Sequence, residues 1–305
     1  MDYELKLDPK VAEILDSIKF DQDNINKVKQ SAGSLPTFMD FKVDYAFKYI
    51  LGHKRILIKL LNDILPLAVE DIEYRPNEIP VISEKEKRSV FDVICQIKGS
   101  KEPVIVEMQQ VEESDMDDRL VFYGSSLVTK QVKRGDQMYR LRPVYVLCVS
   151  AYGRKHTAII GPNHILFNYR LREPDLNENW SDRLNYYFLE LPRLQRAWEK
   201  LDTNVQRWCY LFNNLSKFAK VPDDAQGFED VFNVSRTDEL KDSRLIAYMV
   251  SMVNEYEKLT IKEYWLNEGV QQTKLQMAKK MKEDQVEPKV IAKYTGLSEE
   301  ELLQL

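Results

Sequence analysis

Two β-forming runs separated by a tight turn constrain this chain more than any other feature. Ser89-Val-Phe-Asp-Val-Ile-Cys-Gln-Ile97 and Pro103-Val-Ile-Val-Glu-Met-Gln109 flank Lys98-Gly-Ser-Lys101, a hairpin pattern. A turn centred on Gly99-Ser100 sets Ile97 opposite Glu102 and Asp92 opposite Glu107. Side chains so opposed stand about 4.5–5.5 Å apart at Cβ, and two carboxylates at that separation repel unless a cation lies between them. Gln109, two residues beyond Glu107, shares its face. Ile94 and Ile105 also fall on the acidic face, so that face is expected to be partly covered. The opposite face, Phe91, Val93, Cys95 and Ile97 with Val104, Val106 and Met108, is wholly apolar and is expected in the core. The plainer alternative is a solvent-facing strand that happens to carry two acids. Aspartate is uncommon inside strands, and hard oxygen ligands in this number favour Mg²⁺ or Mn²⁺.

Downstream, Asp115 to Arg134 reads as a helix with acids in its first turn, bases in its last, and Gly135 as its stop. Pro143 to Ser150 is almost continuously apolar, as in a buried strand. A helix between two strands that can pair in parallel indicates an α/β core. Upstream, Phe38–Leu65 predicts two helices separated by Gly52 and closed by Pro66. Residues 1–30 read as helical, and Ser31 to Thr37 breaks that pattern. His164–Tyr169 and Tyr186–Leu191 read as strands, Leu194–Lys220 as a helix, and most of the chain after Asp238 as helical. The expected organisation is a helical extension over 1–37, an α/β domain over 38–235 and a helical tail over 236–305.

The net charge of −5 excludes a generally basic nucleic-acid coat, so any contact with DNA requires a local patch. Such a patch follows the hairpin. Arg119, Lys130, Lys133, Arg134, Arg140 and Arg142 accompany a single acid, Asp136, and Arg119 and Tyr123 lie one helical turn apart. Cys95, Cys148 and Cys209 have no metal-site spacing, Cys95 and Cys148 sit in apolar runs and read as buried thiols, and a reducing, cytoplasmic environment is expected. The N-terminal residues show no secretory pattern, and no apolar run is long enough to span a bilayer. His53, His156 and His164 are too scattered to indicate a ligand set, and the four tryptophans read as packing residues.

Asp92, then Glu107-Met-Gln109 on the next strand, then a helix, resembles the PD-(D/E)XK nuclease core. Asp44-Tyr-Ala-Phe-Lys48, Leu60 to Leu65, Phe91-Asp-Val93, Val106 to Gln109, the Arg119 and Tyr123 pair, and Gly135 to Tyr145 together resemble the bacterial Rpn group of recombination-promoting, transposase-like nucleases. The resemblance implies a restriction-endonuclease-like fold, with a central mixed sheet flanked by helices, and a Mg²⁺-dependent DNA endonuclease. By the same resemblance Asp92, Glu107 and the Met108 carbonyl hold the metal. Asp44 completes or buttresses the site, and Lys48, one turn later, brings a cation to it. Gln109 departs from the superfamily's usual lysine. Glutamine can orient a water but carries no charge, so a catalytically silent DNA-binding or protein-interaction module is the alternative reading. A hydrolase of RNA or free nucleotides is a third. Double-stranded DNA is the expected partner, gripped along its backbone by Arg119, Tyr123, Lys130, Lys133 and Arg134. The end of the tail resembles a helix-turn-helix, but Glu299-Glu-Glu301 is poorly suited to base edges, so protein contact or homodimerisation through the tail is expected instead.

Overall fold

A computed structural model describes residues 35–79, 89–132, 135, 137–156, 160–161, 164–283, 286–298 and 302. The helix expected over residues 1–30 lies outside them. In chain order the elements are α1 (Asp44–Leu51), α2 (Lys54–Ile64), β1 (Ile72–Tyr74), β2 (Glu78–Ile79), β3 (Ser89–Val90), β4 (Val93–Ile97) and β5 (Pro103–Gln109). They continue with α3 (Met116–Thr129), β6 (Val144–Ser150), β7 (Leu166–Glu173), β8 (Glu178–Glu190), α4 (Asn204–Asn214), α5 (Glu229–Val234), α6 (Asp242–Glu283) and α7 (Pro288–Thr295).

Six strands form a mixed sheet in the order β1-β4-β5-β6-β8-β7. The hairpin register is the one expected, running from Val93 opposite Val106 to Gln96 opposite Pro103. Gly99 turns it at φ +91°, a conformation that glycine adopts without the Cβ clash other residues incur. β5 and β6 then pair in parallel, with α3 as the crossover between them, and β6 pairs in parallel with β8. The sheet is covered on both sides, which is why β6 reads as one continuous apolar run.

Pleating divides the buried residues into two layers. Val93, Cys95, Ile97, Val104, Val106, Leu147 and Val149 join a large core with α1, α2 and α4. Ile94, Ile105, Val146, Cys148 and Phe188 pack under Met116, Leu120 and Leu127 of α3. Phe91 was expected beside Val93 and instead belongs to the α3 layer. The alternation fails because the chain is irregular at Asp92: the Phe91 N–H bonds to the Asn77 carbonyl, not to β5, and β4 begins only at Val93. α3 therefore covers the face that carries Glu107 and Gln109, while Asp92, at the break, stays partly exposed.

The helix expected over Leu194–Lys220 is shorter. Two single 3₁₀ turns, Leu191–Arg193 and Trp198–Lys200, precede α4, whose start is set by Thr203 accepting the Gln206 N–H at 3.2 Å. Trp198 is buried among Tyr210, Phe218, Phe228 and Phe232, so an apolar periodicity persists across a non-helical stretch. β7 and β8 extend beyond the two short strands expected there.

By compactness the chain divides into units at Met1–Met252 and Val253–Leu305. The second has its own small core of Ala278, Ile291, Leu297 and Leu302, and α7 stops at Gly296 in the left-handed region (φ +71°), as expected. Among the described residues no helix is long and apolar enough to cross a membrane.

Candidate active site

The irregularity at Asp92 creates the site. Where the β4–β5 ladder would continue, side chains replace backbone groups: Asp92 Oδ2 accepts the Met108 N–H at 2.8 Å, and Glu107 Oε1 accepts the Asp92 N–H at 3.2 Å. Each acid braces the backbone of the strand that carries the other. One oxygen of each carboxylate is thereby committed, which leaves Asp92 Oδ1 and Glu107 Oε2 free of backbone bonds. The Met108 carbonyl shares the strand edge of its own N–H and so faces the Asp92 side.

α1 supplies the nearest cation. Lys48, itself buried, lies 2.6 Å from Asp44 Oδ1 one turn earlier and 3.7 Å from Asp92 Oδ1. Burial alone would lower its pKa, but the charges of Asp92 and Asp44 outweigh burial and raise it, so Lys48 is held charged. Asp44 is therefore the anchor of Lys48 and stands one residue removed from the acid pair.

Lys48 and the Arg119 guanidinium offset these acids only in part. Burial pushes the Asp92 carboxyl up, and the charge of Asp44 adds to that effect against the opposing pull of Lys48. Burial and the charge of Asp92 push Glu107, 3% exposed, well above the usual carboxylate range. A dense, electron-rich pair of hard oxygen donors short of positive charge is a donor set that fits a divalent cation such as Mg²⁺. Among the described residues no cluster of three or more His, Cys, Asp or Glu side chains could hold a metal, so the pair would depend on backbone oxygen and solvent for its remaining ligands.

Gln109 lies on the Glu107 face, as its spacing requires, and is buried. Its Oε1 accepts a hydrogen bond from Arg119 Nη2 at 3.0 Å, while Arg119 Nη1 pairs with Glu113 at 2.7 Å. A family model described as PD-(D/E)XK nuclease family transposase matches residues 41–264, which spans the sheet, the acid pair and these supporting groups. The chain belongs to that family. Membership marks a nuclease related to mobile elements and agrees with the Rpn-like resemblance. No curated protein and no solved structure matches the chain significantly.

In this PD-(D/E)XK family member the basic strip is divided. Arg119 and Tyr123 face inward. Tyr123 is buried with its ring 4.6 Å from that of Phe91, and burial together with the charge of Glu107 pushes its hydroxyl up to about 12. Lys130 is exposed at the C-terminal end of α3. Lys133 and Arg134 lie outside the described residues.

The structure also assembles a group that sequence reading passed over. Gln109, Ser150 and Glu190 stand level across the parallel strands β5, β6 and β8. Glu190 is fully buried, its Oε1 lies 2.8 Å from His156 Nε2, and its Oε2 is buried without a hydrogen-bond partner. The His156 ring stacks on Phe167 at 4.3 Å. Nearby, Arg154 pairs with Asp117 at 2.8 Å over the Phe188 ring and, with Glu112, Tyr152 and Lys155, lines a cleft of about 500 Å³ at the carboxyl ends of β5 and β6. His156 and Glu190 are 34 residues apart, so no spacing motif links them. The available signal was the end of a parallel strand, where α/β proteins gather polar groups.

Proposed function

We propose that the protein is a divalent-metal-dependent DNA endonuclease acting in recombination or on a mobile element. The observation that carries this reading is the reciprocal bracing of Asp92 and Glu107, which holds two carboxylates side by side, Glu107 buried and Asp92 partly so, with burial pushing the pKa of each upward. Asp92, Glu107 and the Met108 carbonyl would hold Mg²⁺ or Mn²⁺. When bound, such an ion polarises a phosphoryl oxygen and lowers the pKa of water.

The chain's own residues do the rest. Backbone N–H groups fix the rotamers of both acids, so little reorganisation is needed on loading. Lys48, held charged by Asp44, keeps one fixed positive charge beside Asp92 for the phosphate that approaches it. Gln109 offers amide N–H donors to a non-bridging oxygen. α3, with its N-terminal turn near this end of the sheet, covers the Glu107 side of the acid pair, and the partial exposure of Asp92 leaves a way in for solvent and phosphate. Lys130, with Lys133 and Arg134, would grip the duplex backbone as point charges, and the helical tail would join two copies. We place the protein in the cytoplasm.

Supercoiled plasmid incubated with Mg²⁺ should be nicked or linearised by the wild type. Cutting should stop in chelator and fall by roughly 10²-fold or more in Asp92→Ala. Equal cutting by Asp92→Ala and wild type would end the proposal. One observation favours the silent-module alternative: both carboxylates already accept backbone hydrogen bonds, so they also act as strand braces. That alternative predicts salt-sensitive DNA affinity with no metal-dependent cutting.

A further inference from the structure

The superfamily's usual lysine is missing at Gln109, and the structure shows what stands behind that glutamine. Arg119 can only donate hydrogen bonds, so the Gln109 atom facing its Nη2 at 3.0 Å must be the carbonyl oxygen. The amide is thereby fixed in one sense, and its Nε2–H donors are turned away from Arg119. Gln109 is 7% exposed and level with Ser150, and its Nε2 makes no hydrogen bond to the described residues.

The guanidinium is itself held. Glu113 takes Nη1 at 2.7 Å, Nη2 also lies 3.8 Å from Met116 Sδ, and Nε is buried without a partner. An arginine reserved for gripping an exposed duplex backbone would not be clamped at both terminal nitrogens with its Nε out of solvent. Its positive charge acts on both Glu107 and Asp92.

We infer that Arg119 is a positioning residue that divides the missing lysine's role with Gln109. Gln109 presents the donors, and Arg119 fixes and polarises that amide while supplying the positive charge from one position behind. An amide whose carbonyl is bonded to a cation is a stronger N–H donor, because hydrogen bonds in a chain polarise one another. Arg119 is thereby reassigned from the DNA-backbone role to the interior of the site. The inference rests on the nuclease reading of the acid pair.

Steady-state cutting kinetics of Arg119→Met, Gln109→Met and the double variant test it. Each single variant is expected to lose roughly 10–10²-fold in kcat with KM for DNA and its salt dependence unchanged, and the double variant is expected to be no worse than either. Arg119→Lys keeps the charge but cannot fork between Gln109 and Glu113, so it is expected to recover only part of the loss. Additive losses, or a raised KM with a salt slope reduced by about 1, would assign Arg119 to the DNA backbone and overturn the inference. A second readout does not need cutting. The ¹⁵N side-chain amide resonances of Gln109, identified by their disappearance in Gln109→Glu, should shift in Arg119→Met in metal-free protein. Unmoved resonances overturn the inference whether or not the protein cuts DNA. Absence of cutting by a wild type whose Gln109 resonances respond to Arg119 would count against the nuclease reading alone.

Discussion

At the scale of single residues, Asp92 and Glu107 show how an unfavourable pair persists. Their mutual repulsion opposes folding, yet each supplies the hydrogen bond that the interrupted ladder lacks. Glu107→Gln preserves an acceptor for the Asp92 N–H while deleting a buried charge. We expect it to abolish cutting and, in chelator near neutral pH, to raise stability by about 1 kcal/mol, a shift of a few degrees in Tm. Thermal unfolding measured alongside plasmid cutting checks both halves. The pH dependence has a definite sign. Burial raises Asp92 from 3.8 to about 6, and burial with the charge of Asp92 raises Glu107 well above the usual carboxylate range, so the folded chain binds these protons more tightly than the unfolded one. That stabilisation is complete below the ordinary carboxylate values and is lost as pH rises through the raised ones. Metal-free protein should therefore lose stability as pH rises from about 4 through about 6, the Asp92 range, with Glu107 acting in the same direction, and Mg²⁺ should flatten the loss because the ion takes the protons' place. A chelator series that is flat across this range would show the pair to be balanced by other charges. Part of this was legible in the sequence: alternation gives the face shared by Glu107 and Gln109, and the hairpin register sets Asp92 opposite Glu107, but the break that turns both acids onto backbone N–H groups was not. The Arg119 contact was not, because one-turn spacing on a helix gives two possible sides and only tertiary packing chooses between them.

At the scale of elements, the hairpin was the most readable part because turn chemistry and two-sided burial point to the same register. Phe91 was misplaced because the rule assumes an unbroken strand, and the break at Asp92 has no sequence mark beyond the aspartate itself. The stretch before Thr203 was misread because buried aromatics such as Trp198 recur without a helix beneath them. How α3 seats on the sheet was also hidden. A Cβ on Gly124 would lie 2.5 Å from the Tyr186 hydroxyl, 3.1 Å from its ring and 3.2 Å from Leu184, so α3 lies against β8 at a distance only glycine allows. Gly124→Ala would gain up to about 1 kcal/mol in helix propensity. Overpacking costs about 1–3 kcal/mol, and since a rigid ring cannot easily yield, we expect a net loss. Its Tm should fall, and its cutting should fall too, because the helix that carries Arg119 must lift. A stable, fully active Gly124→Ala would show that α3 has slack over the sheet.

At the scale of the whole molecule, net charge decides how DNA can be met. With 44 basic and 49 acidic residues the chain repels a polyanion at long range, so affinity must come from a few close contacts. Lys130 is exposed at the end of α3, and Lys133 and Arg134 follow it in sequence, whereas Tyr123 is buried and Arg119 is half-buried and paired with Gln109 and Glu113. Three phosphate contacts imply a slope of log affinity against log salt of roughly −3, far shallower than for proteins that coat duplex with basic surface. Fluorescence anisotropy on a short duplex in Ca²⁺, which commonly supports binding by Mg²⁺ enzymes without turnover, should show that slope. Lys130→Ala should reduce its magnitude by about 1 and weaken every sequence equally, because a lysine on phosphate carries charge and no base information. Arg119→Met should leave the slope unchanged, which separates the interior of the site from the surface that holds the duplex. A slope near zero in the wild type would mean that these cations meet no phosphate, and duplex recognition would then have to come from elsewhere in the chain.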